Sequence, residues 1–398
     1  MNARYQLKEE TRNRCRIWPV TEDFLSEFRI ITMDRFNVFY ESAYIDFSLY
    51  LQVGKEIVEY IKPAEYVKRA LLDHIREVMV KEHEHVRLLI RNSDEKKFID
   101  ICKQISQAKA GEIVKEDPAL DRKTVEAFTD LTSISQLVVK GGLTADVVDT
   151  VAKTTSRMMN STIGNKSVIS TLSRMINNDP TLYDHSASVA MIAGMIATTI
   201  LASKISLDDA KIVALCGIYH DVGKSDIPNH ILNKPGKYEP FEFEIMKTHS
   251  QKGYDEITRI ISDGAPIPEI VARVALEHHE KFSGSGYPNG KKGRAEDDKD
   301  TGIHLYSRIM MIADVYSALL MKRVYKPAYD PIECVKIMAE CSGDYDPDII
   351  RPFLAEVVKS LNHYNEQKKI NTKGRLLTME NGKLTVVDNE KKSGGKAS

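Results

Sequence analysis

The residues of this chain best suited to chemistry are histidines and aspartates set in apolar surroundings. In ALCGIYHDVGK, Ala214 to Lys224, His220 and Asp221 close an apolar helical run. A carboxylate there is costly unless a cation or hydrogen-bond donors satisfy it. Lys224 lies three residues beyond Asp221, within reach of the same pocket, and Gly223 is expected to allow a sharp exit from the helix. In SRIMMIADVYSALL, Ser307 to Leu320, Asp314 sits in a helix that is apolar nearly all round. A solvated acid would need polar neighbours at three- and four-residue spacing. Asp314 has Met310, Met311, Ser317 and Ala318 instead, so a metal-facing role is the better reading. His185 opens the most apolar helix and His249 lies in an amphipathic one. Each alone reads more readily as a core or boundary histidine, and gains weight only in company.

The set is completed by HHEKFSGSGYP, residues 278–288. Successive helical residues are separated by about 100°, so His278 and His279 do not easily share one metal position. They can bracket a site wide enough for two ions. His185, His220, Asp221, His249, His278, His279 and Asp314 then form a candidate ligand set whose imidazole and carboxylate chemistry suits Fe, Mn or Zn. Asp221 could bridge two ions. Two ions about 3.5–4 Å apart stabilise the attacking and leaving oxygens of an in-line phosphoryl displacement, so the chemistry indicated is hydrolysis. No serine or cysteine nucleophile arrangement competes with it.

These residues need elements to position them, and the chain of 398 residues is long enough for two or three domains. Residues 1–103 mix short β-type runs (FNVFY at 36–40, VRLLI at 86–90) with a helical stretch around 63–79, which indicates a small α+β domain. His74, His83 and His85 within it read as solvated polar residues. Residues 104–165 are helical in pattern and read as a linker, preferred as a spacer over a dimerisation element. Residues 166–367 are a series of amphipathic helices that carries the chemistry, and 368–398 hold a hairpin around Asn381-Gly382 and a polar tail. The fold class expected is therefore mainly α, a helical catalytic domain preceded by an α+β domain. Lys plus Arg is 56 against 57 for Asp plus Glu, which gives no global field for a nucleic-acid polymer. The apolar stretch 189–202 is too short to span a bilayer core of about 30 Å. With no signal-like N-terminus and five cysteines without CxxC spacing, a cytoplasmic protein with no membrane association and no thiolate metal site is expected.

The motifs HDVGK (220–224), ILNKPGKYEPFEFEIMKTHSQKG (231–253), HHEKFSGSGYP (278–288) and ADVYSALLMKRVYK (313–326) together resemble the HD-GYP phosphodiesterases. These are a branch of the HD superfamily of helical metal-dependent phosphohydrolases, and the match covers about residues 170–365. The resemblance implies an all-helical HD-type domain that hydrolyses cyclic di-GMP to linear pGpG, and onward to GMP in some members. It implies that the seven residues above hold two divalent ions, Fe first, with Mn or Zn as alternatives. Lys224 then polarises the scissile phosphate or helps protonate the leaving oxygen. It also implies that Arg323 and Lys326 grip phosphate, that Gly286, Tyr287 and Pro288 border the substrate, and that the GYP loop could dock a diguanylate cyclase domain. A homodimer is compatible with it.

Four departures qualify the match. Thr181 stands where some members carry a glutamate for a third ion, with Asp179 and Asp184 out of phase, which favours two metals and pGpG as the main product. Ser283 and Val324 replace an Asp or Asn and a proline, and neither change removes a ligand. The charged run KKGRAEDDKD (291–300) is longer than usual and reads as a solvated loop with a lid or a docking surface as alternatives.

Overall fold

A computed structural model describes residues 16–31, 44–63, 65–66, 72–75, 77, 86–138, 145–165, 167–178, 184–232, 234, 236–298, 301–321, 329–367, 375–380 and 383–388. They fall into two compact units divided near residue 108.

The first unit is built on strands β1 (Ile17–Pro19), β2 (Phe28–Ile31), β4 (Leu49–Val53), β5 (Glu56–Ile61) and β7 (Val86–Arg91), with a short pair β3 (Tyr44–Ile45) and β6 (Glu65–Tyr66). The five strands form an antiparallel sheet in the order β1-β5-β4-β7-β2. Val53 pairs with Glu56, so β4 and β5 are joined by a two-residue turn in which Gly54 takes a φ of 59°. Helix α1 (Glu22–Ser26) is capped by Thr21, whose hydroxyl accepts from Phe24 N at 3.2 Å. It covers a cluster of Phe28, Tyr50, Ile57 and Leu89 together with Trp18, Val20, Phe24 and Leu25. The expected strand at 86–90 lies in β7, and residues 72–75 and 77 are helical, with His74 exposed. The FNVFY run, His83 and His85 lie outside the described residues.

In chain order the helices that follow are α2 (Glu95–Glu116), α3 (Arg122–Val138), α4 (Ala145–Thr162), α5 (Val168–Asn178), α6 (His185–Met195) and α7 (Leu207–Tyr219). Then come α8 (Asn229–Leu232), α9 (Pro240–Lys247), α10 (His249–Ser262), α11 (Glu269–Glu277), α12 (Leu305–Leu320), α13 (Pro331–Glu340) and α14 (Pro347–Gln367). The helical fold class is thus observed. Every residue of α6 after His185 is buried, which explains its lack of a polar face: α7, α12, α3 and α4 pack around it. The stretch expected as a linker supplies α3 and α4, which pack on each other and on this central helix. Strands β8 (Arg375–Glu380) and β9 (Lys383–Asp388) pair antiparallel with Glu380 opposite Lys383, the register a two-residue turn demands. Among the described residues no helix is long and apolar enough to cross a membrane.

Candidate metal centre

Each histidine of the candidate set sits at a helix end, where the backbone itself can orient the ring. His220 caps the C-terminus of α7, His249 opens α10, and His278 caps α11. In all three, Nδ1 donates to the carbonyl three residues earlier: Gly217 O at 2.8 Å, Met246 O at 2.6 Å and Ala275 O at 2.8 Å. A carbonyl can only accept, so the proton is on Nδ1 and each Nε2 presents its lone pair to the centre. His185 enters the site from the start of α6, which is capped by Asp184 accepting from Ala187 N at 2.8 Å. Asp184, out of phase in the sequence reading, is occupied by this cap, while Asp179 and Thr181 lie outside the described residues.

The donors converge on Asp221. Its Oδ1 lies 3.4 Å from His249 Nε2 and 3.6 Å from His278 Nε2, and those two nitrogens are 3.3 Å apart. Its Oδ2 lies 3.3 Å from His220 Nε2 and 3.7 Å from His185 Nε2. Asp314 closes the other side: Oδ1 is 3.0 Å from His185 Nε2 and 4.0 Å from His220 Nε2, and Oδ2 is 3.9 Å from His279 Nδ1. Two groups with metal-ligand spacing result, one of Asp221, His249, His278 and His279 and one of His185, His220 and Asp221. The structure therefore brings together all seven expected residues, with Asp221 common to both groups.

The donor set fits a cation and little else. The buried Nε2 of His220 and Oδ1 of Asp221 have no hydrogen-bond partner. His249 and His278 direct two lone pairs at each other and at a carboxylate oxygen. Such an arrangement is repulsive unless positive charge lies between the atoms, and an orphaned buried polar group costs about 1–3 kcal/mol. Ligands at about 2.1 Å from a shared ion in tetrahedral array stand about 3.4 Å apart, which matches the triangle around Asp221 Oδ1.

The electrostatics agree. Burial would raise the Asp221 carboxyl, but in the metal-free site, where His220 takes a second proton on Nε2, the charges of His220 and Lys224 hold it well below the usual carboxylate range. Lys224 Nζ is bonded to Asp221 Oδ2. Asp314 is likewise opposed by burial yet held low by His185. Burial pushes His278 down to about 4 and His279 well below its ordinary value. His220 runs the other way: burial lowers it, but Asp221 raises it by more.

A pH dependence of stability follows for protein stripped with a chelator. Between about pH 6.5 and 4 an unfolded His278 takes up a proton that the folded one refuses, so stability falls as pH drops through that window. His220 acts oppositely, its contribution being present below about pH 6.5 and lost as pH rises through its folded value. Urea unfolding between pH 6.5 and 4.5 should show a loss on the order of 3 kcal/mol at most from His278. A flat profile would contradict its burial as a neutral ring.

Gly223 serves the site differently from the expected sharp exit. A Cβ there would meet His249 O at 2.1 Å and Gly253 N at 2.4 Å, so the glycine lets the short 3-10 helix Val222–Asp226 lie against α10. Gly286 has a comparable role: a Cβ would meet Lys281 N at 2.3 Å and Glu280 C at 2.4 Å, which closes the GYP loop on its own start. Tyr287 lies on the His279 ring with centroids 4.8 Å apart and planes at 30°. Pro288 follows it in the same loop. Arg323, Lys326 and Val324 lie outside the described residues.

Two carboxylates that the sequence reading passed over hold this region together. Glu277, 1% exposed, pairs with Arg273 at 2.8 Å and Lys291 at 2.9 Å and accepts from Ser307 Oγ at 2.9 Å and His304 N at 3.1 Å. Glu280, also buried, accepts from Asn289 N at 2.7 Å and Lys291 N at 2.8 Å and so clasps the loop. The signal was the pair of acids flanking the two histidines. Glu280→Ala strands two backbone donors and should cost roughly 3 kcal/mol, with faster proteolysis in the loop and metal content retained. Thermal unfolding and limited proteolysis check this, and loss of metal would reassign Glu280 to the centre.

The run 291–300 is not free. Arg294 forms a bidentate pair with Asp346 at 2.8 and 3.0 Å and a second pair with Asp348 at 2.7 Å, and Glu296 pairs with the buried Arg308. Its backbone is tied as well, Gly293 N to Phe282 O at 3.1 Å and Ile303 N to Gly293 O at 3.1 Å. Over the described part, 291–298, no residue is buried, so the run is a solvated loop that these bonds tie down. Ser283, where the family places Asp or Asn, bonds Ser285 Oγ at 2.9 Å and Asp344 Oδ1 at 3.2 Å.

A helical unit built around an H-D step and converging imidazoles has a known counterpart. Residues 170–349 match the HD domain family. The match is accompanied by similarity to named proteins. Over 245 residues the chain is 34% identical to "Cyclic di-GMP phosphodiesterase PA4108" of Pseudomonas aeruginosa, covering 61% of this chain and 51% of that one. It is 38% identical over 136 residues to "3'3'-cGAMP-specific phosphodiesterase 2" of Vibrio cholerae, covering 34% of this chain and 24% of that one. The chain thus spans about half the length, or less, of these curated relatives. The solved structure of Bd1817, a HDG"Y"P protein from Bdellovibrio bacteriovorus, aligns with a TM-score of 0.52 and 16% identity over 87% of this chain and 99% of that one, a likeness of fold.

Proposed function

We propose that the HD domain of this chain hydrolyses cyclic di-GMP to linear pGpG, with His185, His220, Asp221, His249, His278, His279 and Asp314 holding two divalent ions. The observation that carries the reading is the sharing of Asp221 between two ligand groups. The nitrogen and oxygen donors suit Fe, Mn or Zn, and the resemblance to the HD-GYP phosphodiesterases favours Fe, with Mn or Zn as alternatives. Similarity to a relative named for cyclic di-GMP supports the substrate.

When bound, such a pair supplies Lewis acidity to a phosphodiester and lowers the pKa of water to near neutrality. The chain's own residues do the rest. The backbone-anchored rings hold their lone pairs in place before substrate arrives, so no reorganisation is needed during reaction. Lys224 Nζ sits on the same Asp221 oxygen that faces His185 and His220, placed to put positive charge and a proton beside the leaving oxygen. Arg323 and Lys326 bind the phosphates, while Gly286, Tyr287 and Pro288 form the loop wall of the pocket. The residues before the HD domain, 1–103 as a sensory module and 104–165 as its connection, regulate output. The GYP loop is a surface on which a diguanylate cyclase domain could dock, and a homodimer is compatible with this organisation.

A second reading keeps the chemistry and changes the nucleotide, favoured by the similarity to a 3'3'-cGAMP-specific relative. Metal-loaded protein offered cyclic di-GMP and 3'3'-cGAMP in parallel separates the two. Faster hydrolysis of cyclic di-GMP, with pGpG accumulating over GMP, is expected. A strong preference for cGAMP would replace the substrate, and no turnover of either would leave a receptor.

A further inference from the structure

Helix α9 carries at its middle an exposed aromatic that its own packing does not require. The capping box of Glu239 and Glu242 and Pro240 at the first turn start the helix, and Met246 with Ile245 bury its apolar side against Ile227 and Ile231. Phe243 remains 45% exposed. Its ring is nevertheless held: it meets the Tyr287 ring edge-on at 6.3 Å and 83°, and Lys247, one turn on, places Nζ 5.2 Å from its centroid. Tyr287 in turn lies on His279, so rings run without a break from a candidate metal ligand to the surface.

We propose that Phe243, backed by Tyr287 and flanked by Lys247, is a stacking platform for the purine base of the nucleotide whose phosphate lies at the metal centre. The inference rests on the nucleotide-hydrolase reading above and extends it from the phosphate to the base. Three properties favour a base as the occupant. The platform is contiguous with the place where phosphate would be bound, so one nucleotide can span both. An aromatic fixed by a neighbouring ring and a cation loses little conformational freedom on stacking. Lys247, paired with Glu244 at 2.6 Å, lies over one face of the Phe243 ring at 5.2 Å and braces it for stacking on the opposite face. Base–aromatic stacking of this kind is worth roughly tenfold or more in affinity.

The test is calorimetric binding of GMP and of ribose 5-phosphate to Mn-loaded full chain, its metal content measured in every sample. Wild type should bind GMP roughly tenfold more tightly than ribose 5-phosphate. Phe243→Ala should abolish that preference at unchanged metal content, and Phe243→Trp should restore it. Equal affinity for the two ligands in wild type, no binding of GMP, or a preference that survives Phe243→Ala overturns the platform. Turnover of cyclic di-GMP by the same wild-type sample keeps the two ideas apart. Hydrolysis without any dependence of GMP affinity on Phe243 removes only the platform, whereas base-dependent binding without hydrolysis removes only the enzymatic reading.

Discussion

Asp221→Ala is expected to lose bound metal and turnover together, with activity down at least about a thousandfold. One carboxylate faces four imidazole nitrogens, with Oδ1 directed to His249 and His278 and Oδ2 to His185 and His220. No other described residue belongs to both ligand groups. Removing it therefore disables both, where removal of a single histidine disables one. The fold should survive, because the carboxylate is itself a burial cost in metal-free protein and the stranded Lys224, with its side chain 30% exposed, can reach water. Circular dichroism and metal content on the same sample check this. A variant that keeps both ions would show that Asp221 does not bridge.

Lys224→Ala should behave differently, keeping the ions and losing rate. Lys224 contacts the centre only through Asp221 Oδ2 and has no lone pair to offer a metal while charged. If it stabilises charge on the leaving oxygen, its loss should lower kcat by about a hundred- to a thousandfold with a smaller change in KM. Metal content should stay at the wild-type level. Equal metal loss in the Lys224 and Asp221 variants would refute the division of roles.

How much of this was legible depends on whether a residue's oddity is local. Asp314 and Asp221 stand out in sequence because a carboxylate in an apolar helix conflicts with its own neighbours, and the structure places both among the imidazoles. The helical angle between His278 and His279 argued for separate metal positions, but both fall in one ligand group with Asp221 and His249, because His278 caps the helix and His279 already lies beyond it. Glu277 and Glu280 escaped because, Arg273 apart, their partners are loop backbone, Lys291 and the Ser307 hydroxyl, 9 to 30 residues away, and nothing local separates a buried clasp from a solvated acid. The tethering of the loop 291–298 was hidden for the same reason: Arg294 finds Asp346 some 52 residues on. Gly223 was recognised as necessary but for the wrong cause, since a close approach to His249 is set by tertiary packing. The strand order of the first unit likewise joins β2 to β7, a pairing no local pattern specifies.

If the two ligand groups sharing Asp221 each hold an ion, metal analysis of the whole chain, loaded anaerobically with Fe or Mn and freed of excess, must count both. About two ions per chain are predicted, falling to less than one in Asp221→Ala. Fewer than one ion per chain in the wild type would contradict the account.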